Sequence, residues 1–190
     1  MKRIIIRTVC GLLVCLTSQF ALAQSEQEMK AWQTYMTPGE VHKMIASWDG
    51  EWNEDITMWA TPGAPPTKST ASCVNKMILG GRYQESKHTG NFMGMPFEGV
   101  STMGWDNARK IMVSSWVDNF GTGIMYMEGT WDDKTKAANL KGSTTDPMTG
   151  KLMNIRQVYR VVDDKTQMLE QYTTQEGKEH KSMEIKLTRK

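Results

Sequence analysis

From Trp48 to the end of the chain, apolar and polar residues alternate with a period of two, and short polar runs break the alternation at regular intervals. In IMVSSWVD, residues 111–118, Ile111, Val113, Ser115 and Val117 fall on one side and Met112, Ser114, Trp116 and Asp118 on the other. This is the signature of a strand with two different faces. The turn that precedes it, WDNARK at 105, is echoed by WDDKTK at 131 and VDDKTQ at 162. Each carries an Asp followed by Asn or Asp, which suits type I turns in short hairpin loops. Further breaks fall at TPGAPPT (61–67), LGGR (79–82), GNFMGMP (90–96), DPMTGK (146–151) and EGKE (176–179). Together they delimit about ten strands, over roughly 50–60, 68–79, 82–91, 96–105, 110–118, 123–131, 136–144, 151–161, 167–175 and 180–189. Strands at this spacing with no long helix between them predict an all-β, up-and-down antiparallel barrel or sandwich, and closure is favoured because it leaves no exposed edge. Before the strands, residues 24–38 are polar without a sustained period and read as an arm, and PGEVHKMIAS (38–47) allows a short helical turn. The expected organisation is an arm and turn over 24–47 and a barrel domain over 48–190.

The last strand displays its two faces most clearly, with Met183, Ile185, Leu187 and Arg189 alternating with Ser182, Glu184, Lys186 and Thr188. Arg189 therefore lands on the apolar face, where an arginine needs a partner or a stacking surface. At the start of the first strand, Gly50-Glu51-Trp52 places Trp52 in register with Ile56 and Met58. An indole stacked on that guanidinium would close the base of the barrel.

A Gly-x-Trp opening the first strand and an Arg ending the last is similar to the closing pair of the calycin superfamily, which includes lipocalins and fatty-acid-binding proteins. More specifically, residues 40–190 resemble the secreted family called domain of unknown function 1579. The segments that carry the resemblance are Trp48 to Trp52, LGGRYQE, FEGVSTMGWDNARK, SSWVDNFGTG and KSMEIKLTRK. The Gly-x-Tyr-Asp usual in such proteins stands here as Gly104-Trp105-Asp106, one aromatic in place of another. The resemblance implies a lipocalin-like barrel and supplies no reaction, ligand or catalytic residue.

The N-terminus adds a compartment. Lys2, Arg3 and Arg7 precede an apolar run from Val9 to Leu16, and Ala21-Leu22-Ala23 follows as a small-x-small cleavage site, the pattern of a secretory signal peptide over 1–23 with the mature chain starting at Gln24. The expected location is periplasmic or secreted. Cys15 ends a Leu-Leu-Val-Cys run, but Val14 stands where a lipoprotein needs a small residue. No later segment approaches the roughly 20 apolar residues of a spanning helix. Removing residues 1–23 takes away three basic residues and no acidic one, so the formal charge passes from +2 to −1. The basicity thus belongs mostly to the targeting segment, and no nucleic-acid footprint is left. Cys10 and Cys15 leave as well, so Cys73 stands alone and an internal disulfide is excluded.

The chemistry-bearing residues then narrow. The 16 methionines suggest copper, but Met93/Met95 and Met125/Met127 sit at strand spacing. With His42, His88 and His180 forming no tight His–Met cluster in the sequence, packing is the better account, and neither metal nor cofactor is expected. Arg82, Gln84, Ser86 and His88 share one face, polar but lightly charged as a wet cavity wall would be, whereas Tyr83, Glu85, Lys87 and Thr89 look like a solvated exterior. Trp116 and Asp118 share a face of their strand, and Arg156 and Glu170 could join them to orient a polar head group. Parity alone does not say which face is interior. Cys73 fits a small buried hydrophobe, and no nucleophilic triad is evident. The resulting expectation is a binding module holding a small, largely apolar ligand, with a cavity of roughly 300–1,000 Å³. The alternatives are an enzyme using the same cavity and an envelope interaction protein with a filled core.

Overall fold

Every alternating segment forms a strand. The computed structural model describes residues 25–175 and 177–190. Ten strands, β1 (Gly50–Met58), β2 (Thr67–Ile78), β3 (Tyr83–Phe92), β4 (Met95–Asp106), β5 (Ile111–Asp118), β6 (Met125–Asp132), β7 (Ala137–Thr145), β8 (Leu152–Asp163), β9 (Thr166–Gln175) and β10 (Lys178–Arg189), follow one another in space as in sequence. β10 pairs with β1, so the sheet closes into an antiparallel barrel with no free edge. The signal segment and its cleavage before Gln24 lie outside the described residues.

The three recurring Asp turns all lie at one end of the barrel. Asp106, Asp132 and Asp163 each accept backbone N–H bonds from residues two or three positions on. Those bonds hold the Asp132 and Asp163 carboxyls below the usual carboxylate range. Lys110 and Lys136 take positive φ at the exits of the first two turns. Their local chemistry is the one the repeated motif predicts.

The same end is plugged from inside. The helical turn expected at 38–47 is a seven-residue helix, Glu40–Ala46 (α2), started by the Gly39 N–H donating to His42 Nδ1 at 3.0 Å. Ile45 and the following Trp48 are buried and pack with Met112, Met127, Ala138, Leu140, Ile155 and Tyr159. The barrel floor is thus a helix end and an indole rather than side chains of the strands alone.

The arm departs from expectation. Residues 25–36 are helical (α1), a separate unit from Pro38–Lys190. SEQEMKAWQTYM is rich in good helix formers, so backbone propensity rather than apolar periodicity carries it. Thr34 and Thr37 return their hydroxyls to the carbonyls of Lys30 and Gln33, and Trp32 meets Tyr35 edge-on.

Candidate functional site

Alternation puts Glu54 of β1, Cys73 and Asn75 of β2, and Gln84, Ser86 and His88 of β3 on the inner face. They line a cavity of about 1700 Å³. It runs from the plug towards the hairpins at the other end, where Phe92, Phe120 and Met148 reach it. Ile56, Met103, Met127, Leu140 and Leu169 supply apolar wall. The volume exceeds the expected range because most inward side chains are small, polar or flexible, such as Ser101, Ser114 and Gln157. The filled core that the interaction-protein alternative required is not what the interior shows.

The polar groups concentrate on β1–β3. Cys73 pairs across the sheet with His88 on one side and with Trp52 on the other, and Glu54 is two residues beyond Trp52 on the same face. His88 Nδ1 lies 3.0 Å from Glu54 Oε1, with side-chain exposures of 14% and 2%. A carboxylate can only accept, so a hydrogen bond to it has Nδ1–H as the donor, and a neutral imidazole held this way turns the lone pair of Nε2 away from Glu54. Nε2 faces Cys73 Sγ at 3.8 Å. The thiol, 1% exposed, donates to Asn75 Oδ1 at 3.0 Å. Burial, and after it the charge of Glu54, push the Cys73 thiol up to about 12, so it is protonated at neutral pH.

Trp116 fixes the imidazole from above. Its ring meets His88 edge-on at 5.0 Å and stacks on Phe97 at 6.3 Å, while its indole N–H donates to Asp118 Oδ2 at 2.6 Å. Gly99 makes room for it, since a Cβ there would stand 2.5 Å from the indole. On β10, the neighbour of β1, His180 also reaches the cavity. Its Nε2 lies 3.2 Å from Thr173 Oγ1, and its buried Nδ1 has no hydrogen-bond partner among the described residues.

Of the residues singled out from the sequence, Gln84, Ser86, His88, Trp116 and Asp118 line the cavity. Gln84 does so with its amide committed, since Nε2 donates to the Ile45 carbonyl and to Asp49 Oδ1 of the plug. Arg82, Arg156 and Glu170 do not belong to the wall. Arg82 precedes β3 and donates to the Leu79 carbonyl in the turn, outside the reach of strand parity. Arg156 lies over the Tyr172 ring at 3.9 Å and pairs with Glu179 on the outer face. Glu170 pairs with Lys181 there. In β8 the inward residues are Ile155, Gln157 and Tyr159, which leaves Arg156 outside. Cys73 is buried, as expected of a small hydrophobe, and it also has polar neighbours in Asn75 and His88. Glu54 was missed because Trp52 and Glu54 alternate correctly but a buried glutamate breaks the expected apolar pattern; that break was the available signal.

Residues 37–189 match the family described as Protein of unknown function (DUF1579). The chain belongs to DUF1579. The DUF1579 match begins just before α2 and takes in all ten strands. No match is found among the curated proteins. Among solved structures, the crystal structure of Rv2717c from M. tuberculosis is similar, with a TM-score of 0.59 and 14% identity over 81% of this chain and 99% of that one. At that identity the likeness concerns the fold alone.

Proposed function

We propose that this DUF1579 barrel binds a small, largely apolar molecule in its interior, and that it does so after export and cleavage before Gln24. The observation that carries the reading is the cavity of about 1700 Å³, walled by Met, Leu, Ile and aromatic side chains with its buried charge confined to the β1–β3 side. Binding pockets combine an apolar wall with a few convergent polar groups in this way. Glu54, His88 and the Nδ1 of His180, which has no hydrogen-bond partner among the described residues, offer anchors for a polar head group on neighbouring strands of one arc of the wall. Export rests on the basic, apolar and small-x-small succession of residues 1–23.

The reading is tested with an apolar fluorescent probe. Binding should quench tryptophan emission, because Trp116 forms part of the wall, and Ser86→Trp should abolish it by filling the space beside His88. The variant must keep the parent circular dichroism and melting temperature, since overpacking can also unfold a barrel. A parent that takes up no apolar probe would remove the binding reading. Intact mass of the exported protein tests the cleavage; a first residue other than Gln24 would overturn it.

A second reading, an enzyme working in the same cavity, is favoured by one observation. Glu54, His88 and Cys73 stand in the order of an orienting carboxylate, a base and a thiol. Turnover of a thioester or ester probe, lost on Cys73→Ser, would put this reading first.

A further inference from the structure

We propose that Cys73 and His88 bind one divalent transition-metal ion of the Zn2+ class at the inner wall of the barrel, with Glu54 holding the imidazole and the remaining coordination positions facing the cavity. The proposal goes beyond ligand binding and does not depend on it.

Three observations carry it. One donor atom from each of Glu54, Cys73 and His88 lies within 4.8 Å of the others. The three residues come from three adjacent strands, so a rigid sheet sets their spacing. Tetrahedral coordination, with sulfur roughly 2.3 Å and imidazole nitrogen roughly 2.0 Å from the ion, separates those two atoms by roughly 3.5 Å. Cys73 Sγ and His88 Nε2 stand 3.8 Å apart, so a few tenths of an ångström complete the pair.

The second partner of each ligand also fits. A metal-binding histidine commonly donates its other N–H to a carboxylate, which fixes the tautomer and the ring orientation. His88 Nδ1–H does this to Glu54, and Trp116 abuts the same ring. Thiolate and imidazole together suit borderline to soft ions such as Zn2+ rather than Mg2+ or Ca2+. Charge selects the valence, because one thiolate and the Glu54 carboxylate together neutralise a divalent ion.

Binding must break the S–H bond. The sulfur–metal bond forms as the thiol, which otherwise donates to Asn75 Oδ1, loses its proton to solvent. A coordinating cation favours that loss, as it does for any thiol that becomes a ligand. Affinity should accordingly rise with pH.

The full-length chain carrying Cys10→Ser and Cys15→Ser retains Cys73 as its single thiol. Titration with Co2+ should then give one equivalent bound, a thiolate-to-metal charge-transfer band in the near ultraviolet, and release of about one proton per ion. Excess Zn2+ should erase the band by displacing Co2+, since thiolate and imidazole in tetrahedral arrangement suit Zn2+. Because only Cys73 can supply that band, its presence or absence decides the matter even if a variant fails to fold. Cys73→Ser should abolish the band, and His88→Gln should weaken binding at least tenfold. Glu54→Gln should weaken it about 10- to 100-fold while keeping the band. A parent that binds Co2+ without a thiolate band, or binds none, overturns the proposal. Apolar-probe binding measured with and without Co2+ stands apart from this result, so failure of the metal site and failure of ligand binding are separately visible.

Discussion

The guanidinium of Arg189 lies 4.3 Å from the centre of the Trp52 ring. It also donates to the carbonyls of Ser47 and Asp49 before β1 and of Asp164 in the β8–β9 turn. One side chain at the end of β10 therefore ties the first strand, the plug and a hairpin together. The backbone of Gly50 makes the approach possible, with φ of 129° and no Cβ, which would stand 2.8 Å from Arg189 Nη1.

Arg189→Ala should destabilise the barrel by about 1–3 kcal/mol through lost stacking and three carbonyls deprived of a donor. Arg189→Lys should recover little of it, because an ammonium lacks the planar fork. Urea midpoints measure both, and a parent-like midpoint for Arg189→Ala would deny the closing role.

The plug depends on Gln84, whose amide bridges the Ile45 carbonyl and Asp49 Oδ1 in a buried setting. Gln84→Ala should cost about 1–3 kcal/mol by leaving those acceptors short of a donor. Hydrogen exchange should localise the loss to α2 and β1 rather than spread it evenly.

Gly99→Ala should move Trp116, because the new methyl would overlap the indole. Near-ultraviolet circular dichroism and tryptophan emission should change, and apolar-probe affinity should fall, while the far-ultraviolet spectrum remains that of the barrel. An unaltered emission spectrum would mean that the indole has another place to go.

The Cys73 thiol should shape the alkaline limb of stability. Its pKa is raised in the folded state, from an ordinary value of 9.0 to about 12, so the unfolded chain loses that proton first. Stability is then fully present below about pH 9 and falls as pH rises towards 12, with a limiting slope of about 1.4 kcal/mol per pH unit from this group. Cys73→Ala should flatten that slope relative to the parent. The buried Tyr159 phenol, also shifted upward by burial, keeps a further alkaline loss in both proteins.

The strands and turns were legible because they are local. Period-two alternation marks a strand wherever one face is buried, and the Asp turns recur with the chemistry that makes them. That Gln84, Ser86 and His88 share a face followed from parity within one strand, and the stacking of Trp52 with Arg189 from an arginine standing in an apolar register. Inward and outward were not legible for Arg156 and Glu170, since alternation divides a strand into two faces without saying which the barrel encloses. Nor was the α1 helix, whose residues favour helix without an apolar stripe. Only the tertiary structure brought Glu54, Cys73 and His88 together, because their proximity depends on the register of β1 on β2 and of β2 on β3. The long-range pairing of whole strands and the plug beneath them set that register, and no residue within any one strand encodes it.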